Sequence, residues 1–150
     1  LEASLQMGGV IGGCSKEQLN ALKHVGESIG RAFQIQDDWL DVVADPDKFG
    51  KRVAGDIYEC KKTYLMVLAL ERCNKEQAKW LRSCLESKPL TDDDVESVIQ
   101  LFQELDVIES TRYRMEELYK TAEQSLEIFG ESEDKRDLIQ LIRTLKKRDH

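Results

Sequence analysis

Between Ser15 and Ala44, apolar side chains return every three or four positions, at Leu19, Leu22, Val25, Ile29, Phe33, Leu40 and Val43. That spacing is one face of an α-helix. The stretch opens on a serine suited to cap a helix and contains no proline, so it specifies one long helix ending near Ala44. Its apolar face needs other elements to cover it, and the rest of the chain offers helices.

The only prolines, Pro46 and Pro89, sit among turn formers in "ADPDKFG" and "ESKPLTDDD". After the long helix comes a turn-rich loop, "DPDKFGKRVAGDIYEC", and then the helix-like "KKTYLMVLALERC". Four amphipathic segments follow: "KEQAKWLRSCLE", "DDDVESVIQLFQELDVI", "YRMEELYKTAEQSLEIF" and "DKRDLIQLIRTLKK". Their polar outer faces mark them as packing scaffold. Thr91 and Ser132 read as N-caps with acidic first turns, and "LKKR" places cations at the last helix end. The fold class is therefore all-α. The opening "LEASLQMGGVIGGCS" carries Gly8, Gly9, Gly12 and Gly13, each costing roughly 1 kcal/mol relative to Ala in a helix. Close helix packing, a kink or a cavity wall would account for them.

Composition removes several classes of function. At 150 residues and 41% apolar the chain has material for one core. A net charge of −7, with no basic block among aromatics, argues against a nucleic-acid partner. The longest apolar run, Tyr64 to Leu70, falls far short of the ~20 residues of a membrane span, and no signal-peptide pattern opens the chain. Cys14, Cys60, Cys73 and Cys84 form no C-x-x-C pair, and the two histidines, His24 and His150, give no zinc spacing. Buried, reduced thiols in a cytoplasmic protein are expected. The chain starts at Leu1 inside a helical pattern without an initiator Met, as a fragment of a longer protein would.

Near the end of the long helix, "FQIQDDWLD" sets three aspartates among apolar residues. At about 100° per residue, Gln34, Asp37, Asp38 and Asp41 share one narrow face, flanked by Ile35, Trp39 and Leu40. A solvated stripe is the plain alternative. Carboxylates at i and i+4 stand about 5–6 Å apart, which costs a few tenths of a kcal/mol in water but roughly 3 kcal/mol at an effective dielectric near 20. They also crowd the helix's C-terminal end, where the macrodipole disfavours anions, and no Lys or Arg lies four residues away. An external cation would resolve this, and an all-oxygen set with room for water or phosphate suits Mg²⁺. Gln34 could hold a water or a phosphate oxygen. The following loop brings Lys48, Lys51, Arg52, Lys61 and Lys62, with Gly50 and Gly55 permitting close backbone approach. Lys48 and Arg52 read as solvated charges, whereas Lys51 and Lys61 are better placed. Asp56 either orients one of these lysines or caps the next helix. Together the residues suggest a metal-bridged diphosphate site.

The ordered series "FQIQDDWLD", "ADPDKFGK" and "AGDIYECKKTYLMVLALE" resembles the second aspartate-rich region of trans-isoprenyl diphosphate synthases. The chain is similar to the C-terminal half of a polyprenyl synthetase, the family that includes farnesyl and geranylgeranyl diphosphate synthases. The opening "LEASLQMGGVIGG" resembles the family's helix after its Lys-Thr pair. The resemblance implies a helical bundle of the isoprenoid synthase type. Residues 1–150 would form the C-terminal part of a single domain, whose first aspartate-rich motif, arginines and Lys-Thr pair lie upstream. It carries Mg²⁺ binding onto Asp37, Asp38 and Asp41, the phosphate-side glutamine onto Gln34, and the diphosphate-contacting lysines onto Lys51 and Lys61. Asp37, Lys51 and Lys61 are the residues on which catalysis would depend. Lys62 competes with Lys61, because this sequence has "CKKT" where relatives often have a Gly-Lys pair.

The activity so implied is condensation of an allylic diphosphate with isopentenyl diphosphate to a longer trans-polyprenyl diphosphate, by a homodimer. With half the active site upstream, residues 1–150 alone are expected to be silent. Two other readings keep much of the pattern: a non-catalytic regulatory subunit of a prenyltransferase heteromer, and a helical interaction module with an incidental acidic stripe. The intact D-D-x-x-D speaks against the first, and the ordered Asp, Gly-Lys and Lys-Thr series against the second.

Overall fold

The Ser15 hydroxyl accepts the N–H of Gln18 at 3.3 Å and the Gln18 side chain accepts the N–H of Ser15 at 2.9 Å, a reciprocal cap that starts the long helix where the sequence places it. The computed structural model describes residues 1–44, 53–86 and 90–147. Among them are eight helices and no strand: α1 (Glu2–Ile11), α2 (Lys16–Val43), α3 (Gly55–Tyr58), α4 (Tyr64–Arg72), α5 (Lys75–Glu86), α6 (Asp92–Glu104), α7 (Val107–Ser125) and α8 (Glu133–Lys146). Thr91 and Asp94 form a second reciprocal cap at α6, and the Ser132 hydroxyl accepts the Lys135 N–H at 3.1 Å to start α8. Arg143 and Lys146 stand in the last turn of α8, as its dipole favours. No described helix is long and apolar enough to cross a membrane.

The chain divides into two compact units. The first holds Leu1–Gln34 and Arg114–Arg148. Val25, Ile29, Tyr119, Leu126 and Ile142 are buried in it. Two of its glycines mark close packing: a Cβ on Gly9 would stand 2.6 Å from Leu22 Cδ1, and one on Gly26 would stand 2.5 Å from the Cα of Glu2. Gly13, at φ +70, supplies the left-handed residue between α1 and α2.

The second unit covers Ile35–Tyr113. Its core gathers Val42, Ile57, Leu65, Leu81, Val98 and Phe102, with Trp39 packed against it and donating its indole N–H to the Ile108 carbonyl at 3.2 Å. Several boundaries differ from those the sequence predicts: α3 lies inside the expected loop, and α7 ends at Ser125 rather than at Phe129. The helix after the loop begins at Tyr64, with Thr63 accepting the Met66 N–H, so Lys61 and Lys62 precede it. The apolar period through "LFQELDVI" also hides a break: α6 stops at Glu104 and α7 starts at Val107. Asp106 stands there at φ 53, a conformation Asp tolerates better than most residues. Arg72 helps to hold the break by donating to the carbonyls of Leu105 and Asp106 at 3.0 and 2.9 Å.

Candidate diphosphate and metal site

The last two turns of α2 place Asp37, Asp38 and Asp41 as the helical spacing requires, with Asp37 exposed and the other two partly buried. Asp38 and Asp41 turn toward the segment that follows the loop. The Tyr64 N–H donates to Asp38 Oδ2 and the Asp56 N–H to Asp41 Oδ2, each at 2.9 Å. The Ala54 N–H adds a bond to the Asp41 carbonyl at 2.6 Å. Tyr64 opens α4 and Asp56 stands in the first turn of α3. Both carboxylates thus accept amides that a helix start leaves without an intrahelical partner.

Burial nevertheless wins over these bonds. It pushes the Asp38 carboxyl above the usual range, the Tyr64 N–H pulls it back, and the charges of Asp56 and Asp37 push it up again. Asp41 is raised for the same leading reason, against the pull of the Asp56 N–H. Lys61 nearby pulls both carboxyls down without offsetting their burial.

Lys61 joins the group through Asp56. Its ammonium stands 2.6 Å from Asp56 Oδ1 and 2.9 Å from Glu59 Oε2, and these two bonds, Asp56 first, raise its pKa. It is exposed, so its charge also faces solvent. The expectation that Asp56 would orient one of the lysines is met, and that lysine is Lys61. Lys62 is exposed beside it. Cys60 adopts φ 55, a left-handed conformation natural to glycine, where the sequence reading noted that relatives often carry a Gly-Lys pair. Gln34 is exposed on α2 and is the last residue of the first unit. Lys51, with Lys48 and Arg52, lies outside the described residues.

The sequence reading missed the backbone donors of Asp56 and Tyr64 and the role of Glu59. The signal available for the donors was that two helix starts, at Gly55 and Tyr64, follow an acidic helix end closely. Among the described residues no group of three or more His, Cys, Asp or Glu is arranged to hold a metal ion by itself. The donor chemistry still fits a hard cation: Mg²⁺ takes one or two carboxylates and completes its shell with water and phosphate oxygens. A cavity of about 430 Å³ elsewhere in the second unit, lined by Val42, Ile99, Phe102, Gln103, Asp106 and Glu109, includes none of the candidate site residues.

The sequence profile described as polyprenyl synthetase matches residues 1–102. A short chain isoprenyl diphosphate synthase of Methanothermobacter thermautotrophicus is 33% identical over 150 residues, covering 100% of this chain and 46% of the relative. The crystal structure of a geranylgeranyl pyrophosphate synthetase from Pyrococcus horikoshii superposes with a TM-score of 0.87 at 32% identity, over 98% of this chain and 44% of that one. A geranylgeranyl pyrophosphate synthase from Corynebacterium glutamicum, complexed with isoprenyl diphosphate and magnesium, superposes at 0.74 with 29% identity, over 91% of this chain and 39% of that one. The chain spans less than half the length of each of these relatives.

Proposed function

Because the chain belongs to the polyprenyl synthetase family, we propose that it supplies the diphosphate-and-metal side of a Mg²⁺-dependent prenyltransferase. The reaction condenses an allylic diphosphate with isopentenyl diphosphate to a longer trans-polyprenyl diphosphate. The observation that carries this reading is the grouping of two partly buried carboxylates, Asp38 and Asp41, with Asp56, whose N–H binds Asp41 and whose carboxylate binds the ammonium of Lys61.

Asp37, Asp38 and Asp41 would hold Mg²⁺, which when bound supplies positive charge to the departing diphosphate. Lys61 meets the same phosphate oxygens with an ammonium whose charge Asp56 and Glu59 secure. Lys51 and Lys62 add positive charge on that side, and Gln34 orients a water or a phosphate oxygen. Fixed charge around the leaving group lowers the cost of ionising the allylic substrate. The carbocation then alkylates the double bond of isopentenyl diphosphate, and loss of a proton completes the addition. The second carboxylate cluster and the isopentenyl diphosphate pocket belong to the part of the family fold that precedes these residues. Residues 1–150 alone are therefore proposed to be silent, and the complete enzyme to be a cytoplasmic homodimer.

The test incubates the protein at its natural length, and residues 1–150 separately, with Mg²⁺, isopentenyl diphosphate and an allylic diphosphate. Prenyl products from the first and none from the second are expected. Products from residues 1–150 at a comparable rate would mean the active site is misplaced. At natural length, Asp37→Ala is expected to lower prenyl transfer more than Lys48→Ala, and comparable kinetics for the two would refute that ranking.

A further inference from the structure

The segment that carries Lys61 is not held in shape by local preference. Ala54 at φ 60 and Cys60 at φ 55 both occupy the left-handed region, at a cost of roughly 1–2 kcal/mol for a non-glycine residue. Conformations of this kind persist where surrounding structure over-determines them. Here the surrounding structure includes α2. At one end of the segment, Asp41 binds through its carboxylate to the Asp56 N–H and through its carbonyl to the Ala54 N–H. Its carboxylate is further stabilised by the Gly55 N–H. At the other end Asp38 binds the Tyr64 N–H. Neither helix start can satisfy these amides with a side chain of its own, since Ala54 makes no side-chain cap and Thr63 spends its oxygen on Met66. Between the two tie points the chain closes on itself through the Lys61 N–H to the Asp56 carbonyl at 2.9 Å and the Lys61 ammonium to the Asp56 carboxylate.

We propose that Asp38 and Asp41 are positioning residues: by accepting backbone N–H groups at both ends of segment 54–64 they set where the Lys61 ammonium stands. That Lys61 then meets a diphosphate rests on the function proposed above, whereas the clamp itself does not. Asparagine and alanine separate the two parts. Asparagine keeps an oxygen that can accept the N–H but loses the charge, while alanine loses both.

The experiment is amide hydrogen exchange by mass spectrometry on the protein at natural length, without divalent cation, comparing wild type with Asp38→Ala, Asp38→Asn, Asp41→Ala and Asp41→Asn. Alanine at 41 is expected to speed exchange at Asp56 about tenfold or more, and alanine at 38 to do so at Tyr64, with α6 unchanged. The asparagine variants are expected to stay within about threefold of wild type, because an acceptor remains. Unchanged exchange in both alanine variants would overturn the clamp. Should an alanine variant loosen the whole unit, the asparagine variants decide, since loss of protection in segment 54–64 with the acceptor kept contradicts the proposal. Prenyl transfer is measured in parallel. An inactive wild type sinks the functional reading and leaves the exchange result standing. Asparagine variants that keep the segment protected but lose turnover show that the charge acts beyond positioning.

Discussion

Gly26 and Gly30 lie four residues apart in the interior of α2, so replacing either by alanine gains the same helix propensity, roughly 1 kcal/mol. Their surroundings differ. A Cβ on Gly30 meets no heavy atom within 4 Å, whereas one on Gly26 would stand 2.5 Å from Glu2 Cα and 2.8 Å from Glu2 N. The obstacle is backbone, so α1 itself must move, and overpacking of that kind costs about 1–3 kcal/mol. Gly30→Ala is therefore expected to stabilise the protein by about 1 kcal/mol, and Gly26→Ala to be neutral or to destabilise it by up to about 2 kcal/mol. Because propensity cancels between the two, their difference isolates the close approach of α1 to α2. Urea unfolding of both variants measures it, and the same gap corresponds to about 2–4 °C in Tm per kcal/mol for a chain of this size. Equal stability of the two variants would show that α1 does not cross α2 at Gly26.

Cys60→Gly is expected to raise stability by about 0.5–1 kcal/mol, the relief of a left-handed non-glycine residue less glycine's greater unfolded freedom, and a clear fall in the urea midpoint would contradict it. For Asp38 and Asp41 the folded-state pKa is raised, so their contribution to stability is fully present below the unfolded value of 3.8 and is lost as pH rises through the folded pKa. Without metal, Asp38→Asn should therefore gain on wild type as pH climbs through that window. Native-state carboxyl titrations by NMR should have midpoints above 3.8, and midpoints below it would reverse the sign.

Much of the helical frame was legible because caps are local chemistry: Ser15, Thr91 and Ser132 each start a helix where their side chains predict. The break at Leu105–Asp106 was not, since no Gly or Pro marks it and the Arg72 bonds that hold it come from another helix. The acidic strip shows the same division. Helical periodicity put Asp37, Asp38 and Asp41 on one face, and loop composition favoured Lys51 and Lys61 and left Asp56 either orienting one of them or capping the next helix, whereas its pairing with Lys61 is seen only in the fold. That Asp38 and Asp41 also bind the backbone of later residues is a tertiary fact. Helical spacing alone leaves their charge to a cation, whereas backbone amides answer part of it.

The central claim, that the aspartate strip and Lys61 together bind a diphosphate through Mg²⁺, is tested most directly by calorimetric titration of inorganic pyrophosphate into the protein at natural length. Binding is predicted to require Mg²⁺ and to weaken about tenfold or more, roughly 1.4 kcal/mol, in both Asp37→Ala and Lys61→Ala. Lys23→Ala, which removes a half-exposed lysine paired with Glu27, should bind as wild type does. Pyrophosphate binding that is indifferent to Mg²⁺, or equal in all four proteins, would contradict the account.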